Sequence, residues 1–177
     1  FQNIVVRPEM KILVHSAAGG VGGALLQLGK IAGCYMVGVV GAGHKVDSAL
    51  EYGADVVIDK SKDNLWTKAE AVCPHGFDVV FDVNGPATLK QSYRHLAPSG
   101  KLVAYGFHSM LSKRGGFPNY FKLAYEYFRI PRWSPLNMTN ENKSLIAFNL
   151  SYLFDRMDLL KASMQDLMDW VAEGKIQ

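Results

Sequence analysis

The short run Ala17-Ala18-Gly19-Gly20-Val21-Gly22 limits what this chain can become more than any other stretch. It closes an apolar, β-branched segment, Ile12 to Val14, and opens an amphipathic one. Side chains this small let backbone N–H groups approach an anion, and the helix that follows aims its positive N-terminus at the same place. Against the spacing G-x-G-x-x-G, Gly19 and Gly22 take the second and third positions and Ala17 the first. The plainer alternative is a tight strand-to-helix turn. The run sits between a strand pattern and a helix pattern, which is the context a dinucleotide-binding turn requires. Ala18, Gly19, Gly20, Val21 and Gly22 are therefore the candidate pyrophosphate contacts, with Gly22 admitting close helix–strand packing.

The chain then repeats the same alternation. Strands are expected over 11–16, 36–40, 55–59, 77–83 and 101–105. Between them lie helices over 20–32 and 44–52, one that Asp63 or Asn64 can cap and that runs to about residue 73, and one over 86–96. Val21, Leu25, Leu28 and Ala32 form one apolar face of the first helix, and Gly33 ends it. Strands 36–40 and 77–83 are almost continuously apolar, which suits a sheet covered on both faces. This rhythm makes βαβ units and a parallel sheet. Right-handed crossovers favour an α/β, Rossmann-type doubly wound sheet of six strands, in the order 3-2-1-4-5-6. Ligands of such sheets lie at the carboxyl ends of the strands, near the reversal of strand order. Residues 17–22, 41–45, 83–85 and 105–108 make that edge.

Beyond His108 the rhythm changes. Residues 109–117 read as a loop and 119–129 as a helix rich in aromatics: Tyr120, Phe121, Tyr125, Tyr127 and Phe128. Those rings surround the helix, which suits one packed between two surfaces. A wall of a flat-substrate pocket and a membrane-surface helix are the alternatives, the last because Lys113, Arg114, Lys122, Arg129 and Arg132 accompany the aromatics. A sixth strand is expected over 145–150 and a last helix over 158–172, with Leu160, Met164, Leu167 and Val171 on one face.

Composition narrows the function. Hydrophobic residues at 49% and charged ones at 20% are ordinary for a globular domain, and 177 residues suffice for one with a sizeable core. The net charge of +3 is too small to argue for nucleic acid. Cys34 and Cys73 give neither a disulfide framework nor a zinc cluster and point to a reducing, cytoplasmic setting. No apolar run reaches about 18 residues, and no signal peptide opens the chain. The chain starts at Phe1 and stops where a strand can begin, so a domain cut from a longer protein is expected. No residue stands out as a general acid. His15 lies within a strand pattern as a packed histidine, and Cys34 reads as ordinary packing. Asp82, at a strand end, has a structural hydrogen-bonding role. No catalytic residue and no metal ligand is named.

Residues 13–22 resemble the nucleotide-binding turn of the medium-chain dehydrogenase/reductase superfamily. The form Ala17-Ala18-Gly19-Gly20-Val21-Gly22 is similar to that of its zinc-independent quinone oxidoreductase branch. Glu51-Tyr52-Gly53-Ala54-Asp55, Phe77-Asp78-Val79-Val80-Phe81-Asp82 and Leu96-Ala97-Pro98-Ser99-Gly100-Lys101-Leu102-Val103 resemble other signatures of the superfamily, in order and spacing. Tyr105-Gly106-Phe107, followed by a long insert and Phe148-Asn149-Leu150-Ser151-Tyr152-Leu153, is most similar to the vesicle amine transport protein-type members. The resemblance implies a full-length reductase of about twice this size, with a GroES-like domain absent from the present chain. It implies hydride transfer from NADPH to a quinone or another α,β-unsaturated carbonyl, without zinc, and a homodimer paired through the edge strand 145–150. The resemblance to vesicle-associated members supports an alternative: a weakly or non-catalytic nucleotide-binding protein of vesicle or membrane organisation, with peripheral membrane contact.

The end of the second strand indicates which nicotinamide cofactor fits. An NAD site commonly carries Asp or Glu about 20 residues beyond the glycine turn. That position falls on Val40, followed by Gly41-Ala42-Gly43, and no carboxylate stands there to repel a 2′-phosphate. Lys45 matches the family position that contacts this phosphate. Lys60 stands where the branch often carries tyrosine, and adds a second positive charge if strands two and three are adjacent. Tyr105, Gly106 and Phe107 complete the candidate cofactor contacts at the end of the fifth strand.

Overall fold

In a computed structural model, the structure describes residues 4–107 and 120–176. The elements are β1 (Lys11–His15), α1 (Gly20–Ile31), β2 (Tyr35–Val40), α2 (Val46–Glu51), β3 (Val56–Asp59), α3 (Leu65–Val72) and β4 (Phe77–Asp82). They continue with α4 (Leu89–Arg94), β5 (Leu96–Ala104), α5 (Tyr120–Arg129), α6 (Pro135–Glu141), β6 (Ser144–Ala147) and α7 (Met157–Ala172). All pairings are parallel and the strand order is β3-β2-β1-β4-β5-β6. The doubly wound order expected from the βα rhythm is therefore the one observed.

Strand alternation divides the core between two faces. Ile12, Val14, Met36, Val79 and Phe81 point to one face, where Leu25 and Leu26 of α1 and Ala49 of α2 cover them. Leu13, Val37, Val39, Val80 and Leu102 point to the other, beneath Leu65 and Ala69 of α3 and Leu89 and Tyr93 of α4. Burial on both faces is what the continuous apolar strands required.

The buried face of α1 is not the one its hydropathy suggests. Gly22, Gly23, Leu25, Leu26 and Gly29 are buried, whereas Val21 is 60% exposed and Leu28 only half-buried. The glycines make the contact. A Cβ on Gly29 would overlap the Met36 sulfur, and one on Gly23 would lie 2.7 Å from the Tyr52 ring. The helix thus lies closer to the sheet than any side-chain-bearing face would allow.

Other boundaries shift for local reasons. Strand β5 begins at Leu96 rather than 101 because Leu96 pairs with Phe77 before a register shift. Helix α4 is correspondingly shorter than 86–96. Helix α6 was not expected, although Pro135 in its first turn and Asn142 at its end, in left-handed backbone (φ 51°), are ordinary helix boundary residues. Strand β6 stops at Ala147. Phe148 N–H still reaches the Ala104 carbonyl at 2.9 Å, then a 3-10 turn over Leu150–Tyr152 ends the extension to 150.

The expected loop over 109–117, with Lys113 and Arg114, lies outside the described residues, as does His108. The expectation that the aromatic helix packs between two surfaces does not hold within this chain: Phe121 of α5 is 90% exposed and Phe128 76%, with Tyr125 and Tyr127 also exposed. Helix α7 buries no residue, and Met164 and Val171 of its apolar face are exposed. Among the described residues no helix is long and apolar enough to cross a membrane.

Candidate functional site

The chain reverses immediately after β1. Ser16 adopts left-handed backbone (φ 56°) and its carbonyl accepts the Gly19 N–H at 2.9 Å. The Ala17 N–H is spent on the Val39 carbonyl at 3.0 Å, and Ala17 is buried. Gly19 is the N-cap of α1 and supplies no side-chain cap. A Cβ on Gly22 would overlap the Ser16 carbonyl oxygen and lie 2.9 Å from the Ala17 Cα, so only glycine fits there. A Cβ on Gly20 would meet nothing within 4 Å. The first turn of α1 is therefore pressed onto the strand on one side and open on the other. A helix start without a side-chain cap and open at Gly20 fits an anion.

Strands β2 and β3 supply a second wall. Val40 and Asp59 are register partners, and the Lys60 N–H bonds the Val40 carbonyl at 3.1 Å. The adjacency on which a role for Lys60 depends is met: a Cβ on Gly41 would lie 3.5 Å from Lys60 Cε. Lys45, exposed, ends the 3-10 turn Gly43–Lys45 that follows β2. The charge at the end of β3 is Asp59, which is buried. Its Oδ1 accepts the Ser61 N–H at 2.9 Å and the Ser61 hydroxyl at 2.6 Å. Those two bonds first, then Lys62 and His44, hold its carboxyl below the usual carboxylate range.

The third wall stands on a buried polar network. Asp82, at the end of β4, is fully buried. Its Oδ1 accepts the N–H groups of Asn84 (2.9 Å) and Gly85 (3.2 Å), and the Thr88 hydroxyl bridges both carboxylate oxygens. Ser92 donates to Oδ2 at 2.7 Å. Four neutral donors thus replace water around the charge and fix the 83–88 loop. Above that loop come Tyr105, Gly106 and Phe107. A Cβ on Gly106 would lie 2.8 Å from Val83 Cγ2, and one on Gly85 2.8 Å from the Phe107 ring. Burial, with the Asp82 charge nearby, pushes the Tyr105 phenol up to about 12, so it stays protonated.

His15 joins the same network. Its Nε2 lies 3.1 Å from Ser92 Oγ and 3.8 Å from Asp82 Oδ2. The single Ser92 proton goes to Asp82, so Nε2 carries the proton and donates to Ser92. Burial lowers the His15 pKa from 6.5 to about 4, against the opposing pull of Asp82, and the ring is neutral. Serine, histidine and aspartate meet here, yet the histidine cannot take the serine proton and nothing exposes the hydroxyl. The trio is structural, which fits the packed role read for His15 and the hydrogen-bonding role read for Asp82. Cys34 is likewise buried, its thiol donating to the Arg7 carbonyl at 3.4 Å and pushed up by burial.

The parallel sheet brings the ends of β1, β2, β4 and β5 to one edge, so Ala18 to Gly22, Gly41, Lys45, Lys60 and Tyr105 to Phe107 line a common border. Lys62, three residues after Asp59, brings its ammonium to 3.9 Å from Asp59 Oδ2, and the β2–β3 register sets it against the 41–45 turn.

The sequence profile of the zinc-binding dehydrogenases matches residues 20–147, which span this border from α1 to β6. The chain belongs to that family. Within the medium-chain dehydrogenase/reductase superfamily, the chain is 31% identical over 172 residues to a synaptic vesicle membrane protein VAT-1 homolog of Danio rerio, covering 97% of the chain and 35% of that protein. It is 26% identical over 175 residues to prostaglandin reductase 1 of Sus scrofa, covering 94% of the chain and 46% of the reductase. Its fold superposes on an Escherichia coli quinone oxidoreductase solved with NADPH, at a TM-score of 0.72 and 27% identity over 99% of this chain and 49% of that one. The chain thus spans less than half the length of these relatives. Among its described residues no group of three or more His, Cys, Asp or Glu is placed to hold a metal ion.

Proposed function

We propose that the chain is the NADPH-binding domain of an oxidoreductase that reduces a quinone or another α,β-unsaturated carbonyl without zinc, its GroES-like partner domain lying elsewhere in a longer protein. One observation carries the choice of cofactor. No residue of the β2 end itself carries a carboxylate, Lys60 lies against Gly41, and Lys45 closes the turn that follows. The backbone N–H groups of Gly19, Gly20 and Val21 hold the pyrophosphate, with Ala18 and Gly22 shaping the turn beneath them. Lys45 and Lys60 face the 2′-phosphate across Gly41. Tyr105, Gly106 and Phe107 wall the nicotinamide end, where Gly106 keeps the backbone close to Val83. Bound NADPH supplies the hydride, while these residues supply orientation and electrostatics. The free edge of β6 pairs with its copy in a homodimer, which covers an otherwise open strand.

The test is NADPH oxidation by the full-length protein against a panel of quinones and enones. Turnover with NADPH and little with NADH is expected. Absence of turnover across the panel would overturn the reading.

A second reading rests on α5. Its exposed Phe121, Tyr125, Tyr127 and Phe128, with Arg129 5.4 Å over the Tyr125 ring, suit peripheral contact with a membrane surface. A nucleotide-binding protein of vesicle organisation would co-sediment with liposomes and turn over none of the panel.

A further inference from the structure

A third lysine stands at the β2–β3 rim. A Cβ on Gly43 would lie 3.1 Å from Lys62 Nζ, so this ammonium sits over the 41–45 turn, and one on Gly41 would lie 3.5 Å from Lys60 Cε. The group beneath it is unusual. Asp59 is only 6% exposed, and its Oδ2, 3.4 Å from where that Cβ would be, has no hydrogen-bond partner. Ser61 occupies Oδ1 alone. A buried carboxylate satisfied on one oxygen draws a cation. Lys62 answers at 3.9 Å, too far for a hydrogen bond, and its side chain is 74% exposed and able to swing.

We propose that Lys62 is a further phosphate-specificity residue of this rim, kept over Gly43 by Oδ2 of Asp59 and transferred to the 2′-phosphate of NADPH when that group arrives. The inference rests on reading the rim as the 2′-phosphate site. Charge supports it. Residues 41–45 carry no acid of their own, and Lys62 and Lys60 both approach this turn, which suits a phosphate of about −1.5 to −2. NADH brings no such group, so Lys62 stays on Asp59 and gives that nucleotide nothing. The absence of a side chain at Gly43 also gains a reason, since a Cβ there would press on the ammonium.

Nucleotide titrations of the full-length protein decide the matter, with NADPH and NADH compared in wild type, Lys62→Ala, Lys45→Ala, Asp59→Asn and Gly43→Ala. Lys62→Ala should weaken NADPH by about two- to fivefold, the range of a solvent-exposed ion pair, and leave NADH unchanged. Asp59→Asn keeps an oxygen for Ser61 but removes the competing charge, so NADPH should tighten. Gly43→Ala should weaken NADPH in the wild type and no longer do so once Lys62 is alanine. Should Asp59→Asn fail to fold, the exposed substitution Lys62→Glu replaces it and must weaken NADPH more than Lys62→Ala. Unchanged NADPH affinity in Lys62→Ala, beside a loss in Lys45→Ala, would overturn the role of Lys62 and leave the rim standing. Unchanged affinity in both would overturn the rim as well.

Discussion

Replacing Gly22 with alanine should drive α1 off β1. The new Cβ would overlap the Ser16 carbonyl oxygen and lie 2.9 Å from both the Ser16 carbonyl carbon and the Ala17 Cα. All three atoms are backbone, in a turn held by the left-handed Ser16 and by the bonds from Gly19 N–H to Ser16 and from Ala17 N–H to Val39. Carbon contacts settle at about 3.5–4.0 Å, so one partner must move by about 1 Å. The helix has little room to do so, because Gly23 and Gly29 pack it equally closely on Tyr52 and Met36. Overpacking costs about 1–3 kcal/mol, and an unyielding backbone places this site at the upper end. About 3 kcal/mol corresponds to a melting temperature lower by about 6–12 °C in a chain of this size. Gly20→Ala is the matched control. Its Cβ meets nothing, and it should be neutral or stabilising by up to about 1 kcal/mol. Thermal unfolding followed by circular dichroism measures both. Equal melting temperatures for the two variants, or wild-type stability in Gly22→Ala, would refute the close-packing argument.

Three further outcomes follow from the same geometry. A charge-assisted bond contributes about 1.5–3 kcal/mol, so Lys45→Ala should weaken NADPH about tenfold or more and leave NADH hardly changed; comparable wild-type affinities for the two nucleotides would count against the assignment. Ile146→Pro removes an N–H from β6 and should weaken the dimer; light scattering that finds wild-type protein monomeric at high concentration would dispose of the pairing. His15 has a folded pKa of about 4 against 6.5, so the unfolded chain binds more protons between those values. The stability it contributes is complete above pH 6.5 and is lost as pH falls towards 4. His15→Gln should therefore flatten the dependence of the urea midpoint on pH in that window, and an unaltered slope would contradict it.

Much of the fold was legible because each βα unit carries its own signal. Apolar runs such as Met36 to Val40 mark buried strands, and Gly33 and Gly53 mark helix ends whatever lies elsewhere in the chain. The failures share a different cause. Hydropathy assigned α1 a face through Val21 and Leu28, but glycine scores as nothing in such a pattern while being the residue that lets helix and sheet touch. Helix α6 is too short and polar for periodicity and shows only in its terminal residues, Pro135 and Asn142. Met164 and Val171 in α7 have the right spacing, yet spacing cannot say whether anything covers them. At the site, the glycine turn and Lys45 could be read locally. The role proposed for Lys62 could not, since only the register of Val40 with Asp59 brings it over Gly43.

In the proposed reading, the two phosphate positions of the nucleotide are met by different physics. The turn after β1 stands directly on His15, held neutral by burial, and on Asp82, whose carboxylate already has four neutral donors. Gly19, Gly20 and Val21 are exposed, and the backbone N–H groups at the start of α1 carry only partial charge but are fixed in direction. At the β2–β3 rim the case is different. Lys45, Lys60 and Lys62 are all exposed and keep their water until an anion displaces it. The rim as proposed sets several of them around one glycine-containing turn. Salt then screens the rim far more than the helix start, so ionic strength bears on the choice between NADPH and NADH rather than on pyrophosphate binding itself.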